Sequence, residues 1–284
     1  MIACSFKGLH KSRRTPVFAR ANRGLWVLIA GSLSGWSLSP HICQAQSLYV
    51  IPTESPEAPI DPAQPLRVVL HARDPANLAR VLGIDAPVEG SDALPYVLNG
   101  YPIIHGVQEH DWLESTFVLD YRDPRVVQLS TEFTKRLDRK PAADLATRQA
   151  LVNFVAVTMK PSSNRGFDIA SQVAANRDGD CTEYTVITAA LARAAGIPAR
   201  VVVGLAVIAE GNKYGAYGHA WAELKIGGQW IVADSALTGR KISVRYVPFG
   251  VLENEGMGFE LDLARLTPVW VQRVEILRNT PTGR

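Results

Sequence analysis

The chain has 284 residues, 47% of them hydrophobic, with 30 Lys+Arg against 27 Asp+Glu and three cysteines. Six of the cations (Lys7, Lys11, Arg13, Arg14, Arg20 and Arg23) fall in the first 45 residues, which hold no Asp or Glu; beyond them 24 cations face 27 anions. That balance excludes a charge-based case for nucleic-acid binding, and the remaining length is enough for one substantial core.

In chain order, the basic start runs into an apolar stretch, Leu25 to Leu38, broken only by Gly and Ser, and then into small residues at Cys43 and Ala45. This is the pattern of a secretory leader over 1–45, cut after Ala45. The stretch is short for a membrane span, which needs ~20 apolar residues; an uncleaved N-terminal anchor is the alternative. The expected location is periplasmic or secreted, with membrane contact only through an uncleaved leader. Cys4 and Cys43 leave with the leader, so Cys181 remains alone and has no partner for an internal disulfide.

Residues 46–65 read as a Pro-rich linker, with five prolines between Pro52 and Pro65. Residues 66–119 form an N-terminal extension of unassigned role. It contains a strand at Leu66–His71, a helix from Pro75 to about Leu82 capped by Asp74, and a Gly/Pro-punctuated remainder. The main domain is expected over 120–284. Val126, Val127, Leu129, Phe133 and Leu137 have helical spacing after Asp123-Pro124. A second helix over about 143–158 buries Leu145, Leu151, Val152, Phe154 and Val155. A third runs from Cys181 to Ala195 and stops at Gly196-Ile197-Pro198. A β-rich run over 200–208, a Gly-rich loop over 210–218 and two strands around Gly227-Gly228 follow. The last core element lies around Trp270-Val271. Helices first and strands later predict an α+β fold, with N-terminal helices packed on an antiparallel β-sheet.

The chemistry is concentrated in three segments: Gly179-Asp180-Cys181-Thr182-Glu183-Tyr184, Gly218-His219-Ala220-Trp221-Ala222-Glu223, and Gln229-Trp230-Ile231-Val232-Ala233-Asp234. Asp180 and Glu183 form an acidic capping box, which sets Cys181 in the first helical turn. There, N–H groups and the helix dipole favour a thiolate, although the Asp180 carboxylate opposes it. If Gly227 and Gly228 are the two loop residues, Ile226 pairs with Gln229 and Trp221 falls opposite Asp234. His219 shares a face with Trp221, so His219 and Asp234 become diagonal neighbours. A one-residue slip would separate them. Cys181 is thus the candidate nucleophile, His219 the candidate acid/base, and Asp234 the group orienting the imidazole.

These motifs, together with Leu191-Ala192-Arg193-Ala194-Ala195-Gly196-Ile197-Pro198-Ala199-Arg200 and the strand after it, closely resemble the bacterial transglutaminase-like superfamily from Asp120 to Asp234. The resemblance implies a papain-like α+β transglutaminase core and a Cys-His-Asp site at Cys181, His219 and Asp234. It leaves open protease, amidase and acyltransferase chemistry, and silent members occur. Ser235 departs from the proline that follows the aspartate in many members.

Other residues have more ordinary readings beside their functional ones. Tyr214 and Tyr217 are candidates for lining the acyl-donor cleft, or are simply loop residues. The Cys181 N–H is one natural oxyanion donor, and Gln172, Asn176 and Trp112 are candidates for the second. Trp221 and Trp230 are expected to pack the sheet, Glu223 to pair with an arginine such as Arg200, and Arg240, Lys241 and Arg245 to form a solvated strand edge. His105, His110 and Asp111 lack metal-ligand spacing, and no metal or cofactor is expected. The expected partner is a peptide or protein substrate in the cell envelope. A catalytically silent peptide-binding or scaffold module is the alternative.

Overall fold

The computed structural model describes residues 49–55, 64–108, 110–163, 167–266 and 271–277, so the expected leader lies outside the described residues. Among them no helix is long and apolar enough to cross a membrane. In chain order the elements are β1 (Tyr49–Ile51), β2 (Thr53–Glu54), β3 (Leu66–Ala72), α1 (Pro75–Leu82), β4 (Ala93–Leu98), α2 (Pro124–Arg136), α3 (Leu145–Thr158), β5 (Lys160–Pro161), α4 (Ala170–Asn176) and β6 (Asp178–Gly179). They continue with α5 (Cys181–Ala194), β7 (Ala199–Glu210), β8 (Lys213–Ile226), β9 (Gln229–Ala233), β10 (Ser243–Val251), α6 (Phe259–Leu266) and β11 (Val271–Leu277).

The helix starts follow local chemistry. Asp74, Asp123 and Asp144 each accept a backbone N–H of the following first turn, and Pro75 and Pro124 occupy first-turn positions where a missing N–H costs nothing. Leu151, Val152, Phe154 and Val155 are buried along α3, and Val126, Leu129 and Phe133 along α2. Leu145 and Val127 are exposed instead: Leu145 is the first residue of α3, and Val127 faces outward from α2. The central helix α5 is buried on nearly every side, and its buried polar side chains Glu183, Thr185, Thr188 and Arg193 are each hydrogen-bonded.

The main sheet is antiparallel. One edge of β7 pairs with β10 and the other with β8, whose far edge carries both β1 and β9. A second sheet has the order β2-β11-β3-β4, with β11 and β2 parallel. Two main cores result. In one, α2 to α5 pack on β7, β8 and β9; in the other, β3, β4, β11 and α1 pack against Leu205, Val207, Ala216, Val247 and Phe249 of the main sheet. A smaller cluster of Val202, Trp221 and Val251 is covered by Tyr101, Ile104, Val107 and Trp112.

Two segments depart from the expectations. Glu210–Gly218 is not a loop: Gly211 and Asn212 alone turn the chain, Glu210 pairs with Lys213, and β7 and β8 stay in register to Ala199–Leu224. Gly211 takes a φ of 59° in that turn, the left-handed conformation glycine adopts at no steric cost. Gly215 is a strand residue placed for a close approach, since a Cβ there would meet the Tyr217 hydroxyl at 2.6 Å. The expected linker also contributes paired strands. Tyr49–Ile51 lies against Ala216–Gly218, and Thr53–Glu54 against Val274–Glu275.

Candidate active site

The outer edge of β8 is interrupted. β1 pairs with Ala216–Gly218 and β9 with Ala222–Ile226, so His219, Ala220 and Trp221 face no strand on that edge among the described residues. A backbone N–H facing such a gap needs another acceptor. That of Ala220 donates to the Cys181 sulfur. The gap therefore receives the start of α5.

The N-terminus of α5 is built as its sequence demands. Asp180 caps it through the Thr182 N–H, and Glu183 returns a hydrogen bond to the Asp180 N–H at 2.8 Å, which completes the capping box. Cys181 is then the first helical residue, with 7% of its surface exposed. Its thiol is not lowered in the closed site. Burial pushes it well above its ordinary value, the charges of Asp180, Asp234 and Glu183 add to that, and the Ala220 N–H opposes them. Desolvation is the largest cause of that rise, and the neighbouring carboxylates add to it. Glu183 is itself pushed up to about 7, first by burial and then by Asp180.

On β8 and β9 the Gly227-Gly228 turn sets the expected register, from Ile226–Gln229 to Ala222–Ala233. Asp234 follows directly, and its Oδ2 lies 2.8 Å from His219 Nε2. Its Oδ1 accepts the N–H groups of Ala236 and Leu237, each at 3.0 Å. Burial alone would raise this carboxyl; the His219 charge, with hydrogen bonds from His219, Tyr246 and Leu237, holds it below the usual range. With Nε2 directed at Asp234, the other ring nitrogen, Nδ1, is buried and has no hydrogen-bond partner among the described residues. Cys181, His219 and Asp234 are thus brought together by one capped helix, one strand-edge gap and one hairpin.

Ser235 continues this connection. Its hydroxyl is 2.7 Å from that of Thr188 and donates to the Tyr184 carbonyl at 3.3 Å, so the segment after β9 that bears Asp234 is fastened to α5. The expected Glu223–Arg200 pair is present, with Arg200 Nε donating at 2.7 Å and its guanidinium 4.1 Å above the Trp230 ring. Two residues that the sequence did not single out belong to this network. Tyr246 of β10 donates to Asp234 Oδ2 at 2.8 Å. Tyr101, from the N-terminal extension, donates to Glu223 and accepts the Trp221 indole N–H at 3.0 Å. No local signal links either tyrosine to the motifs, since both contacts are long-range.

The other candidates lie apart. Tyr217 is buried in the helix-side core, whereas Tyr214 packs against the second core, so the pair does not form one cleft wall. Gln172 and Asn176 are exposed on α4. Trp112 meets the Trp230 ring at 6.0 Å and packs on the Trp221 cluster, and its carbonyl accepts the Ala199 N–H. Among the described residues no three His, Cys, Asp or Glu converge in a way that could hold a metal ion.

Comparison with known proteins concerns the segment that holds these residues. Residues 131–235, which contain Cys181, His219 and Asp234, match the profile of the Transglutaminase-like superfamily. Among solved structures, a candidate cysteine protease from Cytophaga hutchinsonii is 18% identical, covering 59% of this chain and 50% of its own, with a TM-score of 0.39. The periplasmic domain of TgpA from Pseudomonas aeruginosa is 27% identical in its ethylmercury-bound form, covering 39% of this chain and 43% of its own, with a TM-score of 0.28. The same domain without that compound is 26% identical, again with a TM-score of 0.28. This chain therefore spans half or less of the length of each. No curated protein matches it.

Proposed function

We propose that this protein is an exported transglutaminase-like cysteine enzyme that acts on amide bonds through an acyl-enzyme at Cys181. One observation carries the reading: the Cys181 sulfur is held by the N–H next to His219, while His219 gives Nε2 to Asp234 and keeps Nδ1 for another partner. A thiol raised by burial supports one order of events. The proton passes from sulfur to His219 Nδ1 as sulfur attacks the carbonyl carbon, so imidazole acts as general base. The oxyanion forms beside the Cys181 N–H at the start of α5. The imidazolium, held by Asp234, then protonates the leaving amine as the C–N bond breaks. Water or an amine, deprotonated by His219, releases the acyl group. Hydrolysis is the favoured outcome, because water is always present and no amine-acceptor pocket was recognisable in the sequence.

The burial of Cys181 supports a second reading, a silent module that holds a peptide of the cell envelope. Incubation with a glutamine-containing peptide, with and without a primary amine, decides among the three. Ammonia release alone means hydrolysis, amine incorporation means transfer, and peptide binding without either product means a silent module.

A further inference from the structure

We propose that Tyr246 is a positioning residue of the site, holding the Asp234 carboxylate in the orientation that aims His219 Nδ1 at Cys181. This rests on the Cys181–His219–Asp234 reading above. Tyr246 Oη and His219 Nε2 both bond to Asp234 Oδ2, each at 2.8 Å. With Ala236 and Leu237 on Oδ1, the carboxylate is fixed by four donors. Any rotation of Asp234 that kept His219 would have to break the phenol bond.

The tyrosine also touches the imidazole environment directly. The His219, Trp221 and Tyr246 rings form a triangle with centroid separations of 6.0 Å, 6.4 Å and 4.8 Å. The register explains how a residue two strands away can reach so far. Tyr246 pairs with Ala206 of β7, and His219 pairs with Gly204, so the two residues flank one strand only two positions apart along it. Tyr246 does not contact the scissile bond in this scheme; it acts through Asp234.

Removing the hydroxyl leaves Oδ2 bonded to His219 alone. The carboxylate then holds the imidazolium more tightly but less directionally. The other titratable or charged groups near this pair are Cys181, Asp180 and Glu183 of α5, Arg148 of α3, and Tyr101. None of them is altered by replacing Tyr246 with phenylalanine, which keeps the ring.

The test is the pH dependence of Cys181 alkylation by iodoacetamide in the full chain, for the wild type, Tyr246→Phe and His219→Ala, with kcat and KM on an amide substrate alongside. In Tyr246→Phe the acidic limb is expected to move up by about one pH unit, the size of one hydrogen bond to a charged group. The kcat is expected to fall about tenfold at unchanged KM, as when a residue supporting a reactive group is lost. A thermal midpoint near the wild type shows that Tyr246→Phe remains folded. A purely structural tyrosine would change that midpoint and leave the limb where it was. If His219→Ala slows alkylation but Tyr246→Phe gives the wild-type profile and kcat, the positioning role is overturned while the triad stands. Alkylation unaffected by His219→Ala would overturn both.

Discussion

The two ends of α5 hold buried charges in opposite ways. At its C-terminal end Arg193 uses all five of its N–H groups: two on the Ala199 carbonyl, one on that of Glu114 and two on the Glu255 carboxylate, at 2.7–2.9 Å. Thr116 completes the Glu255 carboxylate, and Glu255 binds the Val118 N–H through its own carbonyl. At the N-terminal end Asp234 is as fully bonded, but His219 Nδ1 has no partner among the described residues and the Cys181 thiol is pushed up. A saturated buried pair locks three chain segments together and has nothing left with which to react. A nearly saturated one retains a single nitrogen without a partner among the described residues. The difference separates structural from chemical burial in one helix.

The sharpest way to break this comparison is to mutate each end and measure both rate and stability. Cys181→Ala is expected to lower amide turnover by about 10⁶-fold, as loss of a nucleophile does, with the urea midpoint nearly unchanged. Survival of turnover in that variant would remove the chemical role assigned to this end. Glu255→Gln should show the reverse. Leaving Arg193 buried with a broken pair costs about 3–5 kcal/mol, read as a lower urea midpoint, while kcat of the folded protein stays within about twofold. A large loss of kcat with normal stability would mean that the two ends are not separable.

A smaller effect concerns Glu183, which joins the cap to the site. Its folded value of about 7 lies above its ordinary 4.5. The protonated form is therefore favoured by folding, and its contribution is present below about pH 4.5 and lost as pH rises towards 7. Glu183→Gln, which cannot titrate, should lower stability overall through the damaged cap yet flatten the urea midpoint between those pH values. An identical slope in both proteins would show that Glu183 does not titrate in that window.

Much of this site could be read from local sequence because its geometry is local. A two-residue Gly-Gly turn fixes which residues oppose each other, so the His219–Asp234 proximity and the Arg200–Glu223 pair were accessible. The capping box needs only four consecutive residues. Where the reading failed, the deciding contacts were distant. Glycines 215 and 218 suggested a loop, but β7 and β1 hold that stretch as strand from both edges. Tyr101 and Tyr246 reach the site only after 120-residue and cross-sheet closures, which leave no periodicity or spacing to detect. The pairing of β3 with β11, about two hundred residues on, is hidden for the same reason. The rise in the Cys181 thiol likewise depends on burial by elements remote in sequence, which the helix-terminus argument did not include.

The central claim is that Cys181 becomes nucleophilic through His219. Its most direct test is intact-mass detection of an acyl adduct after mixing full-length protein with an activated acyl ester. The account predicts one adduct, mapping to Cys181 and forming far more slowly in His219→Ala. An adduct that forms equally fast without His219, or that maps elsewhere, would contradict it.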